Sequence, residues 1–274
     1  MRLQNRTDLA LESYESADRT KLDGVIVKEG EKVTTVEVIN EKGAEALGKP
    51  VGKYITYNVP SFVNDTDIFD GRLNETADLL RTLLPEGITS VLVAGIGNQS
   101  ITADALGPRC SGYVLATRHI IGDETLSALG TFFNVSSITT GVLGDTGIET
   151  VELIRGAVSQ TEPSCVIVVD ALAASSVDRL GNTLQLSDSG ISPGSGVGNH
   201  RHEISESTIG VPVVSIGIPT VISAGTTDKN GAPFFVTPRE IDKVILHGAK
   251  LIGMTVNVCL QKSFTAEELF SLVG

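Results

Sequence analysis

Short apolar runs alternate with stretches of helical periodicity over most of the chain. Three runs, at residues 91–94, 166–169 and 211–218, are apolar at both alternating positions, which is typical of parallel strands covered on both faces. Apolar residues recur at helical spacing from Leu73 onward, and a further helix is predicted over residues 106–120. This alternation predicts an α/β fold with a mostly parallel sheet and helices on both faces.

The amino-terminal part of the chain has a different pattern. The first twenty or so residues are polar and aperiodic, so we expect an arm outside the core. Two apolar stretches, at residues 25–27 and 33–39, flank a polar turn and predict an N-terminal β-hairpin. Because no linker or repeat interrupts the later elements, a single domain over residues 1–274 is expected.

Composition narrows the classes of function. The formal net charge of -12 argues against phosphate-backbone binding, so no direct nucleic-acid partner is expected. The polar amino terminus lacks a signal-peptide core, and we find no apolar stretch of membrane-spanning length, so we expect a cytoplasmic location and no membrane partner. The three cysteines, Cys110, Cys165 and Cys259, form no CxxC pair and predict neither a zinc site nor disulfides.

Two carboxylates follow two of the predicted strands. Asp104 lies in the loop that leaves residues 91–94, and Asp170 comes directly after residues 166–169. Ligands of open α/β sheets bind beyond the carboxyl ends of the strands, so both side chains are candidates for one crevice. Of two neighbouring carboxylates, one can activate water while the other, protonated, donates to a leaving group. The alternative is structural, because strand-end aspartates commonly cap helices or loops.

Other motifs are weaker. The Gly95-Ile96-Gly97 start of a dinucleotide fingerprint has Ser100 in place of the third glycine, so we expect no such cofactor. The G-x-S-x-G letters at 190–194 place Pro193 where an oxyanion-hole N–H is needed. The glycine-rich residues 194–198 lack a P-loop lysine, and predict a loop near the crevice that could hold an anion.

Histidines offer a further candidate site. His200 and His202 would share one face of an extended segment and could bind a metal together with a carboxylate. Since no third ligand is identified, the prediction is that no metal is bound there. Asp145, Asp188 and Arg109 are candidates to border the crevice, but each could equally hold a loop, so none is assigned a catalytic role.

Taken together, the motifs resemble those of the spore germination protease family. The segments that carry the resemblance are, in order, GIGNQSITADALGPR, TTGVLGDTGIET, VVDALAASSVDR, LSDSGISPGSGVGN, VPVVSIGIPTV and FVTPREID. The resemblance implies a fold of the hydrogenase-maturation-protease type and an endopeptidase that degrades small acid-soluble spore proteins. Its two catalytic aspartates would be Asp104 and Asp170, the positions that the strand pattern also selects.

The same resemblance implies a precursor that removes its own amino terminus. The motif Arg6-Thr7-Asp8-Leu9-Ala10 would place the cut between Asp8 and Leu9, making residues 1–8 a propeptide. The family forms tetramers, so a homo-oligomer is expected. Family members usually carry a long segment where this chain has only residues 222–235, which leaves its oligomeric state open.

Two other functions stay open at this point. One is a metal-dependent maturation-type protease, in which Asp104, Asp170 and a histidine at 200 or 202 recognise a metal. The other is a non-catalytic binding protein for spore proteins that retains both aspartates.

Overall fold

The computed structural model describes residues 7–18, 22–64, 67–122, 130–197, 202–227 and 233–273. The strands are β1 (Val25–Glu29), β2 (Val33–Val38), β3 (Gly52–Asn58), β4 (Ser90–Ile96), β5 (Asn134–Gly141), β6 (Cys165–Ala174), β7 (Thr183–Ser187), β8 (Val213–Thr227) and β9 (Pro233–Val236). The helices are α1 (Ala10–Ser16), α2 (Glu41–Leu47), α3 (Arg72–Arg81), α4 (Leu106–Ser111), α5 (Leu143–Thr146), α6 (Thr150–Thr161), α7 (Glu206–Ile209), α8 (Ile241–Leu260) and α9 (Ala266–Val273).

One sheet runs through the molecule in the order β1-β2-β3-β7-β8-β6-β4-β5, with β9 paired to β8. The pairs β4–β5, β4–β6 and β6–β8 are parallel. Antiparallel pairs extend this parallel centre on the β8 side, and they end in the predicted β1–β2 hairpin. The predicted α/β class is therefore confirmed, and the sheet is a mixed one around a four-stranded parallel centre.

Alternate residues of the central strands enter two separate cores, because successive side chains of a strand point to opposite faces. Val91 and Val93 pack in the larger core, which also contains apolar residues of α3, α4, α8 and α9. Leu92 and Ala94 pack in the smaller core, with residues of α6 and α7. Helices thus cover both faces of the parallel centre, which is why its strands are apolar at both alternating positions.

Helix α8 is the central helix of the larger core. It has 20 residues and meets a length-and-hydropathy test for a membrane span, contrary to the expectation of no such stretch. Of the apolar window that meets the test, 72% is buried inside the protein. Packing against the sheet and against α3 and α4 therefore accounts for its apolar character.

The predicted amino-terminal arm is wrong for the described residues from Thr7 onward. Leu9 and Ala10 are fully buried, and α1 packs on β2 and β3. The carboxylate of Glu12, itself only 2% exposed, accepts hydrogen bonds of 2.7 and 3.0 Å from the backbone N–H groups of Ser175 and Ser176. Glu12 therefore anchors the amino-terminal segment to the core. Its partners lie far away in sequence, so the local pattern could not indicate this role.

The helix predicted over residues 106–120 is also shorter than expected, since α4 ends at Ser111. Beyond Ser111, the side chain of Asn257 on α8 forms hydrogen bonds with backbone groups of the chain. Asn257 accepts a hydrogen bond of 2.8 Å from the N–H of Leu115 and donates one of 2.7 Å to the carbonyl oxygen of Tyr113. Since these groups are satisfied by α8, the chain does not need to continue as a helix.

Candidate active site

Asp104 lies in a tight turn that follows β4. The 3₁₀ turn Thr102–Asp104 leads from this loop into α4. The side chain is half-buried, and its Oδ2 accepts a hydrogen bond of 2.7 Å from the N–H of Asn98. Gly97 makes this approach possible: its φ is +122°, and a Cβ there would lie 2.0 Å from the carbonyl oxygen of Asp104. The loop therefore holds Asp104 close to the end of β4.

Asp170 lies within β6, so the prediction that it directly ends the strand is wrong. The strand continues to Ala174 because β8 stays paired with it that far, whereas pairing with β4 stops at Gly95–Val169. Asp170 is thus the first residue of β6 beyond its β4 partner. Its side chain is 5% exposed overall, and Oδ1 accepts a hydrogen bond of 2.9 Å from the N–H of Ala171.

A cavity of about 460 Å³ opens where β4 and β6 separate, and both Asp104 and Asp170 line it. The wall continues along β6 to Ala173 and includes Gly194 and Phe235 from two other segments. The structure therefore brings the two sequence-selected aspartates into one crevice at the predicted edge of the sheet. Their catalytic role stays a prediction.

The side chain of Asp8, from the predicted processing site, lies in the same cavity. Its Oδ1 accepts hydrogen bonds of 2.6 Å from the hydroxyl of Ser195 and 2.8 Å from the N–H of Gly196. Its Oδ2 accepts one of 2.8 Å from the N–H of Ala173, whose carbonyl oxygen in turn accepts one of 2.9 Å from the N–H of Asp8. We call the three donors to this carboxylate the carboxylate cradle. The glycine-rich loop thus holds an anion, as its sequence suggested, and that anion is part of the same chain.

The backbone carbonyl of Asp8, which belongs to the predicted scissile bond, is bound separately. Lys49 Nζ and Gln185 Nε2 each donate a hydrogen bond of 2.9 Å to its oxygen. The amide of Gln185 is oriented by its other atom, since Oε1 accepts a hydrogen bond of 2.7 Å from the N–H of Ala10. We call Lys49 and Gln185 the carbonyl pair.

Lys49 is partly buried next to this segment. It donates a second hydrogen bond, of 3.0 Å, to the carbonyl oxygen of Thr7. Burial lowers the pKa of Lys49 below its ordinary value, while the nearby carboxylates of Asp8 and Glu12 act in the opposite direction. Two hydrogen-bond donors of the ammonium group are therefore satisfied by the segment that ends at Asp8.

Leu9 follows the predicted cut and is fully buried. It packs in a small apolar cluster with Leu172 and Ala174 of β6. Leu9 is thus part of the folded body, whereas Asp8 reaches into the cavity. The predicted processing bond joins these two environments.

The histidine candidates do not gain support as ligands. His202 is exposed, and His200 lies outside the described residues. Among the residues that the structure describes, no three His, Cys, Asp or Glu side chains are grouped so that they could hold a metal ion.

The remaining candidates lie apart from the cavity wall. Asp145, Asp188 and Arg109 are exposed and do not line it. Asp188 holds a loop, since its Oδ1 accepts a hydrogen bond of 2.7 Å from the N–H of Lys53. The structural role therefore fits Asp188.

All three cysteines are buried and free. Burial raises the pKa of Cys165 to about 12 and that of Cys259 to about 11, and it raises the pKa of Cys110 further. The thiols are thus protonated at neutral pH, as expected for small core residues rather than nucleophiles.

Sequence reasoning missed Lys49 and Gln185. Neither lies in a motif, and they are separated from Asp8 by 41 and 177 residues. Lys49 follows a glycine in a turn, and Gln185 stands between two leucines in the short strand Thr183–Ser187. The sequence offered no signal for Lys49, and for Gln185 only its place between two leucines.

Comparison with known proteins identifies the family to which the chain belongs. The model of the germination protease peptidase family matches residues 5–234. The germination protease of Clostridium perfringens is 36% identical over 323 aligned positions, covering 96% of this chain and 97% of the relative. That of Priestia megaterium is 44% identical over 251 positions, covering 84% of this chain and 67% of the relative.

The first alignment is longer than the 274 residues of this chain, so the relative has residues without a counterpart here. Among solved structures, a [NiFe] hydrogenase maturation protease from Thermococcus kodakarensis is similar with a TM-score of 0.40 and 19% identity, over 65% of this chain and 99% of that protein. The family match and the relatives agree over most of the chain. The chain therefore belongs to the germination protease family, a family of peptide-bond hydrolases.

Proposed function

We propose that this protein is an endopeptidase that digests small acid-soluble spore proteins in the spore cytoplasm, and that it is made as a self-processing precursor. The observation that carries the proposal is the cavity shared by Asp104, Asp170 and Asp8. Two carboxylates for hydrolysis and the segment to be removed lie at the same edge of the sheet. The family membership supplies the peptidase activity.

In the proposed reaction, Asp104 and Asp170 act on a water molecule and a substrate peptide bond. The ionised carboxylate removes a proton from water, the water oxygen adds to the carbonyl carbon, and the C–N bond breaks. The protonated carboxyl donates its proton to the leaving nitrogen. The reaction uses water as its co-reactant and needs no cofactor.

In the precursor, the segment ending at Asp8 restrains this site. The Asp8 carboxylate has three hydrogen bonds inside the cavity, and the carbonyl pair binds its backbone. A substrate chain cannot occupy the same edge of β6 while Asp8 is bound to Ala173. Removal of residues 1–8 vacates this edge, whereas Leu9 and α1 stay anchored through Glu12.

We expect activity to appear with a lag in the full-length chain and without a lag in a chain that begins at Leu9. The test follows the intact mass of a purified small acid-soluble spore protein together with that of the enzyme. In the full-length sample, cleavage of the spore protein should rise in step with loss of residues 1–8.

A matched control is the full-length chain with Asp145→Asn, an exposed aspartate outside the cavity wall, which should show the wild-type lag. Full activity from a chain whose residues 1–8 remain attached would contradict the restraint. Absence of spore-protein cleavage by both the full-length and the shortened chain would contradict the endopeptidase itself.

A further inference from the structure

Hydrolysis of a peptide bond places a negative charge on the carbonyl oxygen. When water adds to the carbonyl carbon, the π electron pair of the C=O bond moves onto this oxygen. In the proposed reaction, Asp104 and Asp170 act on the water and on the leaving nitrogen, so neither of them stabilises the oxygen. Fixed hydrogen-bond donors at the oxyanion are often the largest single contribution to such catalysis. The reaction therefore calls for donors beside the carbonyl group.

The carbonyl pair has the geometry of such donors. Lys49 Nζ and Gln185 Nε2 each lie 2.9 Å from the carbonyl oxygen of Asp8, which belongs to the predicted scissile bond. Donors of an oxyanion hole are found at about 2.7–3.1 Å from the oxygen. One of the two donors is an ammonium group, so its hydrogen bond strengthens as the oxygen becomes negative.

The amide of Gln185 is fixed in the orientation that this role requires. The residue is only 8% exposed, and its Oε1 accepts a hydrogen bond of 2.7 Å from the N–H of Ala10. Because the oxygen of the amide is used in this way, its NH₂ group is the end that faces the carbonyl of Asp8. Ala10 follows the predicted cut and belongs to α1. The orientation of Gln185 is therefore retained when residues 1–8 are removed.

The backbone that carries Lys49 is held on both sides. Gly48, with a φ of +67°, ends α2, and the N–H of Lys49 donates a hydrogen bond of 3.3 Å to the carbonyl oxygen of Ala44. On the other side, the carbonyl oxygen of Pro50 accepts a hydrogen bond of 2.8 Å from the hydroxyl of Tyr54. A donor on a fixed turn needs little reorganisation when charge develops.

The register of the sheet relates the carbonyl pair to the aspartates. Asp170 on β6 is paired with Gly217 on β8, and Gly217 is paired with Gln185 on β7. Paired residues face the same side of a sheet, so Asp170 and Gln185 share one face, about 10 Å apart. Asp8 lines both the cavity of the two aspartates and a second cavity, of about 140 Å³, which the carbonyl pair lines. Asp8 is thus the residue that the two groups share.

We infer that Lys49 and Gln185 are further catalytic residues, which stabilise the oxyanion that forms when water adds to the scissile carbonyl. The inference rests on the proposed function, since it assigns two residues to the same hydrolysis. In the precursor the pair binds the carbonyl oxygen of Asp8, and in the shortened chain it binds that of a substrate. When the C–N bond breaks, the carbonyl is restored and the leaving nitrogen takes the proton of the protonated carboxyl.

The first test measures steady-state cleavage of a spore protein by chains that begin at Leu9. Gln185→Met and Lys49→Met should each lower kcat by about 10²- to 10³-fold, because one donor to the oxyanion is lost. KM should change far less, since the contribution is made mainly in the transition state. Gln185→Glu should be no faster than Gln185→Met, because a carboxylate in this place repels the oxyanion.

Gln261→Met is the matched control. Gln261 is also a buried glutamine, and its side chain forms hydrogen bonds of 2.8 and 3.1 Å with the backbone of Phe133, away from the cavity wall. This variant should have a lower thermal stability and an unchanged kcat. Thermal unfolding of every variant shows that it is folded.

A second test does not depend on turnover. It compares two fluorescent peptides with the sequence of residues 1–8, MRLQNRTD, one ending in an amide and the other in a methylphosphinate. The phosphinate carries a negative oxygen in the place of the oxyanion. By fluorescence anisotropy, the chain that begins at Leu9 should prefer the phosphinate by about 100-fold, as for a transition-state analogue. Gln185→Met and Lys49→Met should each reduce this preference by about 10-fold, because a hydrogen bond to a charged acceptor is lost.

A wild-type kcat in both methionine variants would overturn the inference. So would a wild-type chain without a phosphinate preference, or variants that weaken both peptides equally. A chain whose phosphinate preference depends on the carbonyl pair, but which cleaves no spore protein, would keep the oxyanion site and contradict the proposed function. A chain that cleaves spore proteins equally well without the pair would keep the proposed function and contradict the oxyanion site.

Discussion

Replacing either Asp104 or Asp170 by asparagine is expected to lower the rate of spore-protein cleavage by about 10²- to 10⁴-fold. Asparagine keeps the size of the side chain and one acceptor oxygen, so the hydrogen bonds from Asn98 and Ala171 can persist. It cannot take up or release the proton that hydrolysis requires. The loss should therefore appear in kcat, with little change in thermal stability.

The measurement is the intact mass of the spore protein over time, using chains that begin at Leu9 so that self-processing does not enter. Asp145→Asn is the matched control and should stay within about twofold of wild type, because exposed substitutions away from a site have small effects. A wild-type rate in either the Asp104 or the Asp170 variant would contradict the assigned role. Loss of wild-type cleavage on addition of a chelator would instead support the metal-dependent protease.

The second large effect concerns the packing that positions Asp104. Gly107→Ala is expected to lower the free energy of unfolding by about 3 kcal/mol. A Cβ there would lie 2.3 Å from the carbonyl oxygen of Ile96 and 2.4 Å from that of Val169, and backbone atoms of two central strands cannot move aside cheaply. Helix α4 must then shift away from β4 and β6. Asp104 lies two residues before the start of α4, so activity should fall as well.

Gly156→Ala is the matched control, since it is the same substitution inside another helix, α6. Nothing lies within 4 Å of the position that its Cβ would take. Because alanine is the better helix former, this variant should gain about 0.5–1 kcal/mol. The free energy of unfolding of both variants is measured by urea unfolding followed by circular dichroism. Both carry Asp104→Asn, which prevents self-cleavage. A Gly107→Ala variant as stable as its parent would contradict a close contact between α4 and the two strands.

Much of the fold follows from local sequence. The apolar runs around residues 91–94 and 166–169 became β4 and β6, and the hairpin formed where the polar turn predicted it. The helical spacing that starts at Leu73 became α3, Arg72–Arg81. The periodicity of apolar residues in a strand or helix depends on which of its faces is buried. The element can therefore be predicted without knowing which other elements it packs against.

Features that depend on contacts with residues distant in sequence could not be predicted from local sequence. Where β6 ends is decided by β8, which remains paired after β4 has left, and not by the residues near Asp170. The backbone that follows α4 is held by the side chain of Asn257, which bonds to Tyr113 and Leu115. Burial of Leu9 and Glu12 likewise depends on β6 and the two serines that follow it, more than 160 residues away. None of these distant contacts produces a recognisable pattern in the sequence near the residue concerned.

The same division holds for the candidate site. The sequence by itself indicated that Asp104, after β4, and Asp170, on β6, share one crevice, because the carboxyl ends of parallel strands meet at one edge of a sheet. Only the tertiary structure placed Asp8 in their cavity, and it brought Lys49, Gln185 and Ser195 from three separate segments into hydrogen-bond contact with Asp8. Hydrogen bonds between distant segments depend on the packed arrangement of the sheet, which a pattern along one chain does not contain.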